Sequence, residues 1–147
     1  GVAIMMAGAA VAWVSRRQLM EALSSMDSET YAASLAAADL IHHAGLVEEF
    51  GIPILYAVPM WSDNTGTVSV ANDAGSVGRG RHLAMRARFL QDCKLSNILQ
   101  VGYVQTSENA ADALTKPLDR SKFMKHRIYL MGLAEETNYE KYQSRGA

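Results

Sequence analysis

Three carboxylates stand where a chain most often places chemistry, at the ends of regular elements. Glu29 falls near the start of a long helical stretch, Asp63 directly after an apolar strand, and Asp112 in a short helical stretch after the last strand. Brought together at one sheet edge, they would form an oxygen-only cluster suited to Mg²⁺, a hard cation that takes carboxylate, water and phosphate oxygens. Two such ions about 4 Å apart activate a water and stabilise the leaving oxygen of a phosphodiester. Each acid also has an ordinary explanation. Glu29 would be a helix-start residue favoured by the dipole and turned to water. Asp63 would cap the helix that begins at Asn64-Thr65. Asp112 would be a solvated residue among alanines. From the residues alone, only the positions of the three at element ends follow; their convergence does not.

The elements that would carry these acids read from pattern and punctuation. Val2–Met6 and Ala9–Ser15 are short apolar runs around Ala7-Gly8, a hairpin with a weak turn. Ala22–Val47 reads as one long helix. Ser24 and Ser25 offer capping oxygens, alanine is abundant, and Gly51 with Pro53 stops the helix beyond Glu48-Glu49-Phe50. Stepping from Glu29 by three or four gives Ala33, Ala36, Leu40, Ala44 and Val47, so Glu29 heads the stripe expected to face the core. Ile54–Met60 reads as a strand, followed by a helix to about Asn72, a basic glycine-rich loop from Asp73 to Arg81, and a helix over His82–Lys94. Ile98–Val104 is the next strand. Thr106 or Ser107 caps a short helix to Leu114 that Pro117 stops, and Asp119 caps a last helix over Arg120–Leu130. An opening hairpin followed by strands alternating with helices predicts an α/β fold, a mixed sheet with helices on its faces. Residues 1–133 form the expected domain and 134–147 a polar C-terminal tail.

The totals narrow the classes. The chain has 147 residues, 49% hydrophobic and 20% charged, an ordinary globular composition with length enough for one core. A net charge of −1 means that any nucleic-acid binding must use a local basic patch. Cys93 is the single cysteine, so neither a disulfide within the chain nor a cysteine zinc site is available, and a reducing compartment suits it. No apolar run reaches membrane-spanning length. The apolar opening lacks a basic n-region and does not start with Met, so the chain reads as a piece of something longer. Arg79, Arg81, His82, Arg86 and Arg88 gather in the glycine-rich loop and the next helix, the best candidate for phosphate contact; a solvated helix face explains them nearly as well. Lys116, Lys122, Lys125 and Arg127 are a weaker second candidate. His42 and His43 point about 100° apart on a helix and do not make a metal pair. Trp13 and Trp61 read as core.

Five stretches carry a resemblance. L-S-S-M-D-S-E-T-Y-A-A at 23–33 resembles the L-S-S-T-E-A-E-Y-x-A stretch of copia-type retrotransposon polyproteins. A-W-V-S-R-R-Q at 12–18 is similar to their S-W-x-S-K-K-Q, and W-S-D-N-T at 61–65 to their C-D-N-Q. R-H-L-A-M-R-A-R-F-L-Q-D at 81–92 resembles K-H-I-D-I-R-Y-H-F-I-R-E, and A-A-D-A-L-T-K-P-L at 110–118 resembles A-D-I-L-T-K-P-L almost letter for letter. Lys122-Phe123 stands where that family also has K-F. The order of the matches is the family's order, and together they are specific where each alone is weak. The family domain is the ribonuclease H of the element's reverse transcriptase.

The resemblance implies a ribonuclease H-like fold, a five-stranded mixed sheet flanked by helices. It implies that Glu29, Asp63 and Asp112 match three of the family's four metal-holding carboxylates, with Mg²⁺ as cofactor and Mn²⁺ as a substitute. The implied reaction is hydrolysis of the RNA strand of an RNA–DNA hybrid, leaving a 3′-hydroxyl and a 5′-phosphate. The implied partners are the hybrid and the polymerase domain upstream in the same polyprotein. The implied setting is intracellular, in a cytoplasmic virus-like particle or the nucleus. There are departures. The family's first-strand Asp has no counterpart, since the first acidic residue is Glu21; Ala84 replaces a usual Asp; and Thr30-Tyr31 displaces a Tyr by one. A first strand is therefore expected to be missing, with an open sheet edge and little or no hydrolysis by this chain alone. The rival expectation is a catalytically dead remnant that serves as a structural or hybrid-binding module.

Overall fold

A computed structural model describes residues 1–15, 25–73 and 81–133, with only the backbone described at 25–27 and 81–82. In chain order the elements are β1 (Val2–Met6), β2 (Ala9–Val14), α1 (Ser25–Glu49), β3 (Val58–Ser62), α2 (Thr65–Asn72), α3 (Arg81–Leu95) and β4 (Leu99–Tyr103). Two 3₁₀ turns (Thr106–Glu108 and Ala110–Leu114) and α4 (Arg120–Leu130) complete it. The α/β character expected from the sequence is present, as small sheets with helices. The strands make two pairs, β1 with β2 antiparallel and β3 with β4 parallel. The described residues of Gly1–Arg17 and Gln105–Ala147 form one compact unit, and those of Gln18–Val104 form a second. Ser24, the loop residues 74–80 and the tail from 134 lie outside the described residues.

In the first unit, Ala7 and Gly8 make the hairpin turn with φ of 50° and 88°. A two-residue hairpin loop needs left-handed backbone at both positions, which matches the right-handed twist of the strands. Gly8 adopts it without strain and Ala7 does not, so the turn is as weak as its composition suggests. Pairing runs Ile4↔Ala12 and then Met5↔Ala10, which leaves Val11 as a bulge. Ile4 is buried, so the face bearing Ile4 and Ala12 turns inward, and the alternation of the strand turns Trp13 outward. Trp13 is 65% exposed, which corrects its assignment to the core. Asn109 accepts the N–H of Ala111 (3.1 Å) and caps the second 3₁₀ turn, in place of the expected Thr106 or Ser107 and the expected single helix. Asp119 caps α4 as expected, accepting the N–H of Lys122 at 3.0 Å. This bond, first among several, holds its carboxyl below the ordinary value.

The second unit is built on α1. Its alanine-rich sequence carries no proline, and it ends at Gly51, where φ is +82°. Gly51 N–H donates to Glu48 O (2.8 Å) and Ile52 N–H to Val47 O (3.2 Å), the paired bonds of a Schellman closure. The buried stripe of α1 is Thr30, Ser34 and Ala37, one position on from the stripe headed by Glu29. Ala33, Ala36 and Leu40 flank it and are partly buried. The core gathers Ala37, Met60, Ala71, Leu90, Cys93, Leu99 and Val101. Burial, and then the neighbouring Asp92, push the Cys93 thiol above its ordinary value.

β3 begins at Val58, four residues later than the apolar run suggests, because a strand extends only as far as its partner. Val58 pairs with Leu99, and its N–H donates to Ile98 O at 2.9 Å. Before Leu99, β4 is preceded by a turn in which Asn97 has φ of 54°. Ile54, Leu55 and Tyr56 instead line a groove with Ile41, Ala44 and Ile98. The far end of α2 is tied to α3 through side chains. Gln91 Nε2 donates to Val70 O (2.9 Å) and Asp73 O (2.8 Å), and Lys94 Nζ to Asn72 O (3.1 Å). The Val70 and Asn72 carbonyls at the end of α2 are thereby satisfied from outside the helix.

Candidate metal and nucleic-acid site

Asp63 sits at the carboxyl end of the parallel strand pair, where ligands bind in open α/β sheets. Its position is fixed by its neighbours. Val104 N–H donates to Ser62 O (3.0 Å), which ties the end of β3 to the residue just after β4. One strand position earlier, the Trp61 ring lies against Gly102. A Cβ on Gly102 would come within 2.4 Å of Trp61 Cζ3, so only glycine allows this packing. Asn64, and not Asp63, caps α2, accepting the N–H of Thr67 at 2.9 Å. The capping explanation of Asp63 is thus removed, and its half-buried carboxylate follows directly after a strand end held by backbone bonds.

Glu29 belongs to the same unit. It is exposed on α1, beside the fully buried Thr30. This outward orientation is the one expected of a helix residue leaning to water, and it places the carboxylate on the flank of the buried stripe. The next residue, Tyr31, receives Arg86 of α3: the guanidinium carbon stands 3.8 Å from the ring centroid. Arg86 Nη1 also donates to Ser34 Oγ (2.8 Å), and Ser34 Oγ donates to Tyr31 O (2.8 Å). Cation–π contact and hydrogen bond together clamp α3 to α1 two residues beyond Glu29.

Asp112 belongs to the other unit. It is buried in the second 3₁₀ turn, 7% exposed, and it already holds a cation: Lys116 Nζ stands 2.8 Å from Oδ1 and 2.9 Å from Oδ2. His126 of α4, 3% exposed, is close enough to feel the same charges. Burial pushes its imidazole below its ordinary value, the Lys125 ammonium adds to this, and the carboxylates of Asp112 and Glu108 oppose it. Among the described residues, no three His, Cys, Asp or Glu side chains are gathered as a metal-binding group. Residue by residue the chemistry suits a hard divalent ion. Glu29, Asp63 and Asp112 each carry the oxygen donor such an ion takes, and the Asp112 oxygens are already occupied by the Lys116 ammonium.

The basic candidates separate. Arg79 lies outside the described residues, and Arg81 and His82 open α3. Arg86 is half-buried in its clamp on α1, while Arg88 is exposed. In the first unit each lysine of the weaker candidate faces a carboxylate: Lys116 with Asp112, Lys122 with Asp119 (3.5 Å) and Lys125 with Glu108. Arg127 Nη1 donates to Met124 Sδ (3.8 Å). His43 shares its Nδ1 with Asp39 O (2.7 Å), and the His42 and His43 rings meet edge to face at 5.7 Å. Sequence reasoning missed the Asp112–Lys116 pair, although its i, i+4 spacing is a readable signal. It also missed His126, for which nothing local marks burial. No described helix is long and apolar enough to cross a membrane.

No family model matches the chain, and no solved structure matches it. Over 113 residues, 77% of the chain, it is 28% identical to the retrovirus-related Pol polyprotein from transposon RE2 of Arabidopsis thaliana and 27% identical to that from transposon RE1 of the same plant. Over 116 residues, 79% of the chain, it is 28% identical to the retrovirus-related Pol polyprotein from transposon TNT 1-94 of Nicotiana tabacum. The matched part spans only 8–9% of the length of these relatives. The chain is thus similar, over about three-quarters of its length, to a small segment of retrovirus-related Pol polyproteins from plant transposons.

Proposed function

We propose that this chain is the ribonuclease H domain of a copia-type Pol polyprotein, acting on the RNA strand of an RNA–DNA hybrid. The observation that carries this reading is the ordered set of five motifs, which places Glu29, Asp63 and Asp112 on three of the family's metal-holding carboxylates. The similarity to Pol polyproteins supports it. So does the place of Asp63 directly after β3, at the carboxyl end of a parallel strand pair. Glu29, Asp63 and Asp112 would hold Mg²⁺, which when bound supplies a water of lowered pKa and neutralises charge on the leaving oxygen. Asp63 provides the fixed carboxylate, because backbone bonds hold the strand end beside it. Arg88 and the first turn of α3 would meet the hybrid's phosphates, whose spacing and 2′-hydroxyls distinguish it from duplex DNA. The polymerase domain of the same polyprotein is the proposed neighbour in the chain.

The second reading is a remnant that binds hybrids or packs on a neighbouring domain without cutting. One observation favours it: the pairing of Asp112 with Lys116. End-labelled RNA in a hybrid, incubated with Mg²⁺ or Mn²⁺, separates the two. Cleavage by the parent polypeptide that is lost in its Asp63→Asn form, with 5′-phosphate products, is the expected result. A parent that binds hybrid, cuts nothing and is indifferent to Asp63→Asn is the remnant.

A further inference from the structure

Asp112 raises a question of charge. Its carboxylate is nearly buried, and a buried carboxylate is costly without a cation close by. The chain supplies that cation from four residues away. Lys116 N–H donates to Asp112 O at 2.9 Å, which fixes the start of the Lys116 side chain one turn beyond the acid. Pro117 follows at once and stops the turn there. The ammonium then sits almost equally between the two carboxylate oxygens, at 2.8 and 2.9 Å. The Lys116 side chain is 51% exposed, so the ammonium rests on a flexible stem with an open path to water. The other nearby ammonium, Lys125, is bonded to Glu108.

We propose that Lys116 is the resident counter-cation of Asp112, and that a divalent ion reaches this carboxylate only by displacing it. Lys116 thereby acts as a positioning and gating residue rather than a catalytic one. It holds the Asp112 carboxylate in place while no divalent ion is bound, and it lowers the apparent affinity for that ion by competing for the same two oxygens. The inference rests on the reading of Asp112 as a metal ligand. It goes beyond that reading by assigning Lys116 a function of its own.

The competition has a definite size. Only the fraction of molecules with Lys116 swung away is competent to bind, so apparent affinity falls by that fraction. A pair with one half-exposed partner corresponds to a factor of about two to five. The test uses the full 147-residue chain, labelled with ¹⁵N, and Mn²⁺ alone as the probe. Paramagnetic broadening of the Ala111, Asp112 and Ala113 amide signals reports occupancy at this carboxylate, independently of any cleavage. Spectral dispersion reports the fold. Lys116→Gln, which removes the charge, is expected to lower the Mn²⁺ midpoint about two- to fivefold. Lys116→Arg, whose planar fork fits a carboxylate better, is expected to raise it. Equal midpoints in all three forms would overturn the gate while leaving Asp112 a metal ligand. No broadening near Asp112 in any folded form would overturn both the gate and the metal reading. If Lys116→Gln fails to fold, Lys116→Arg against the unaltered chain decides, and an unchanged or lower midpoint overturns the gate.

Discussion

Asp112 and Asp63 are held in place by different physics. Asp112 has an electrostatic hold on its side chain besides its backbone bonds: it is buried in a 3₁₀ turn, and Lys116 neutralises it from one turn away. Asp63 is positioned by backbone. Its strand is paired, Ser62 O is tied to Val104 N–H, Trp61 lies on Gly102, and Asn64 takes the cap. A carboxylate placed by backbone can tolerate loss of its charge without loss of its position. A carboxylate placed by an ion pair cannot exchange its cation without a moment of uncompensated charge. The two carboxylates should therefore respond to different perturbations.

The largest effect should come from the backbone side. Gly102→Ala drives a Cβ to within 2.4 Å of Trp61 Cζ3 and 2.7 Å of Cε3, so the indole must move. Overpacking of this kind costs about 1–3 kcal/mol. A lowered urea midpoint together with a shifted Trp emission spectrum is expected, since Trp61 is two residues from Asp63. An unchanged midpoint and spectrum would mean that the strand end is not held by this contact.

The same comparison shows what the sequence could convey. Signals that act within a few residues were legible. Gly51 closes α1 and Asp119 opens α4, because a cap is a contact between near neighbours. The hairpin around Ala7-Gly8 and the helix through Asn72 were legible for the same reason. What depended on a distant partner was misplaced by small amounts with large meaning. The apolar run from Ile54 reads as strand, but pairing starts only at Val58 because Leu99 starts there. The buried stripe of α1 is one residue on from Glu29, a choice made by packing and not by the helical period. Asp63 and Asn64 are both good capping residues, and only the path of the strand decides between them. At Trp13, composition predicted burial and strand alternation denied it. Of the candidate site, the identities of the acids came from motif resemblance, and their surroundings came only from the structure.

An intermediate effect belongs to the electrostatic side and depends on pH. His126 lies with Lys125, Asp112 and Glu108, and burial keeps its imidazole pKa below the ordinary 6.5. The unfolded chain therefore binds a proton at a pH where the folded chain does not. The contribution of His126 to stability is intact above about pH 6.5 and falls as pH drops below that value toward the lowered folded pKa. Thermal melts between pH 5 and 8 (a range spanning the titration of histidine) should show a loss on acidification that His126→Leu reduces. Equal pH dependence in both forms would mean that His126 takes up its proton as readily folded as unfolded.

The smallest effect on stability should come from Glu29, and its smallness is what makes it informative. Glu29 is exposed and lies beside the buried stripe of α1, not within it. Replacing an exposed side chain away from any cap or pair changes stability by no more than about 0.5 kcal/mol. Glu29→Gln keeps the shape and removes the charge, so the melt should be unchanged. Divalent-ion binding and hybrid cleavage by the parent polypeptide should fall all the same if the carboxylate serves as a ligand. A structural role would give the opposite pattern, a shifted melt with function following it in proportion. Among the three acids, Glu29 is thus the one at which function separates most cleanly from folding, because the fold asks the least of it.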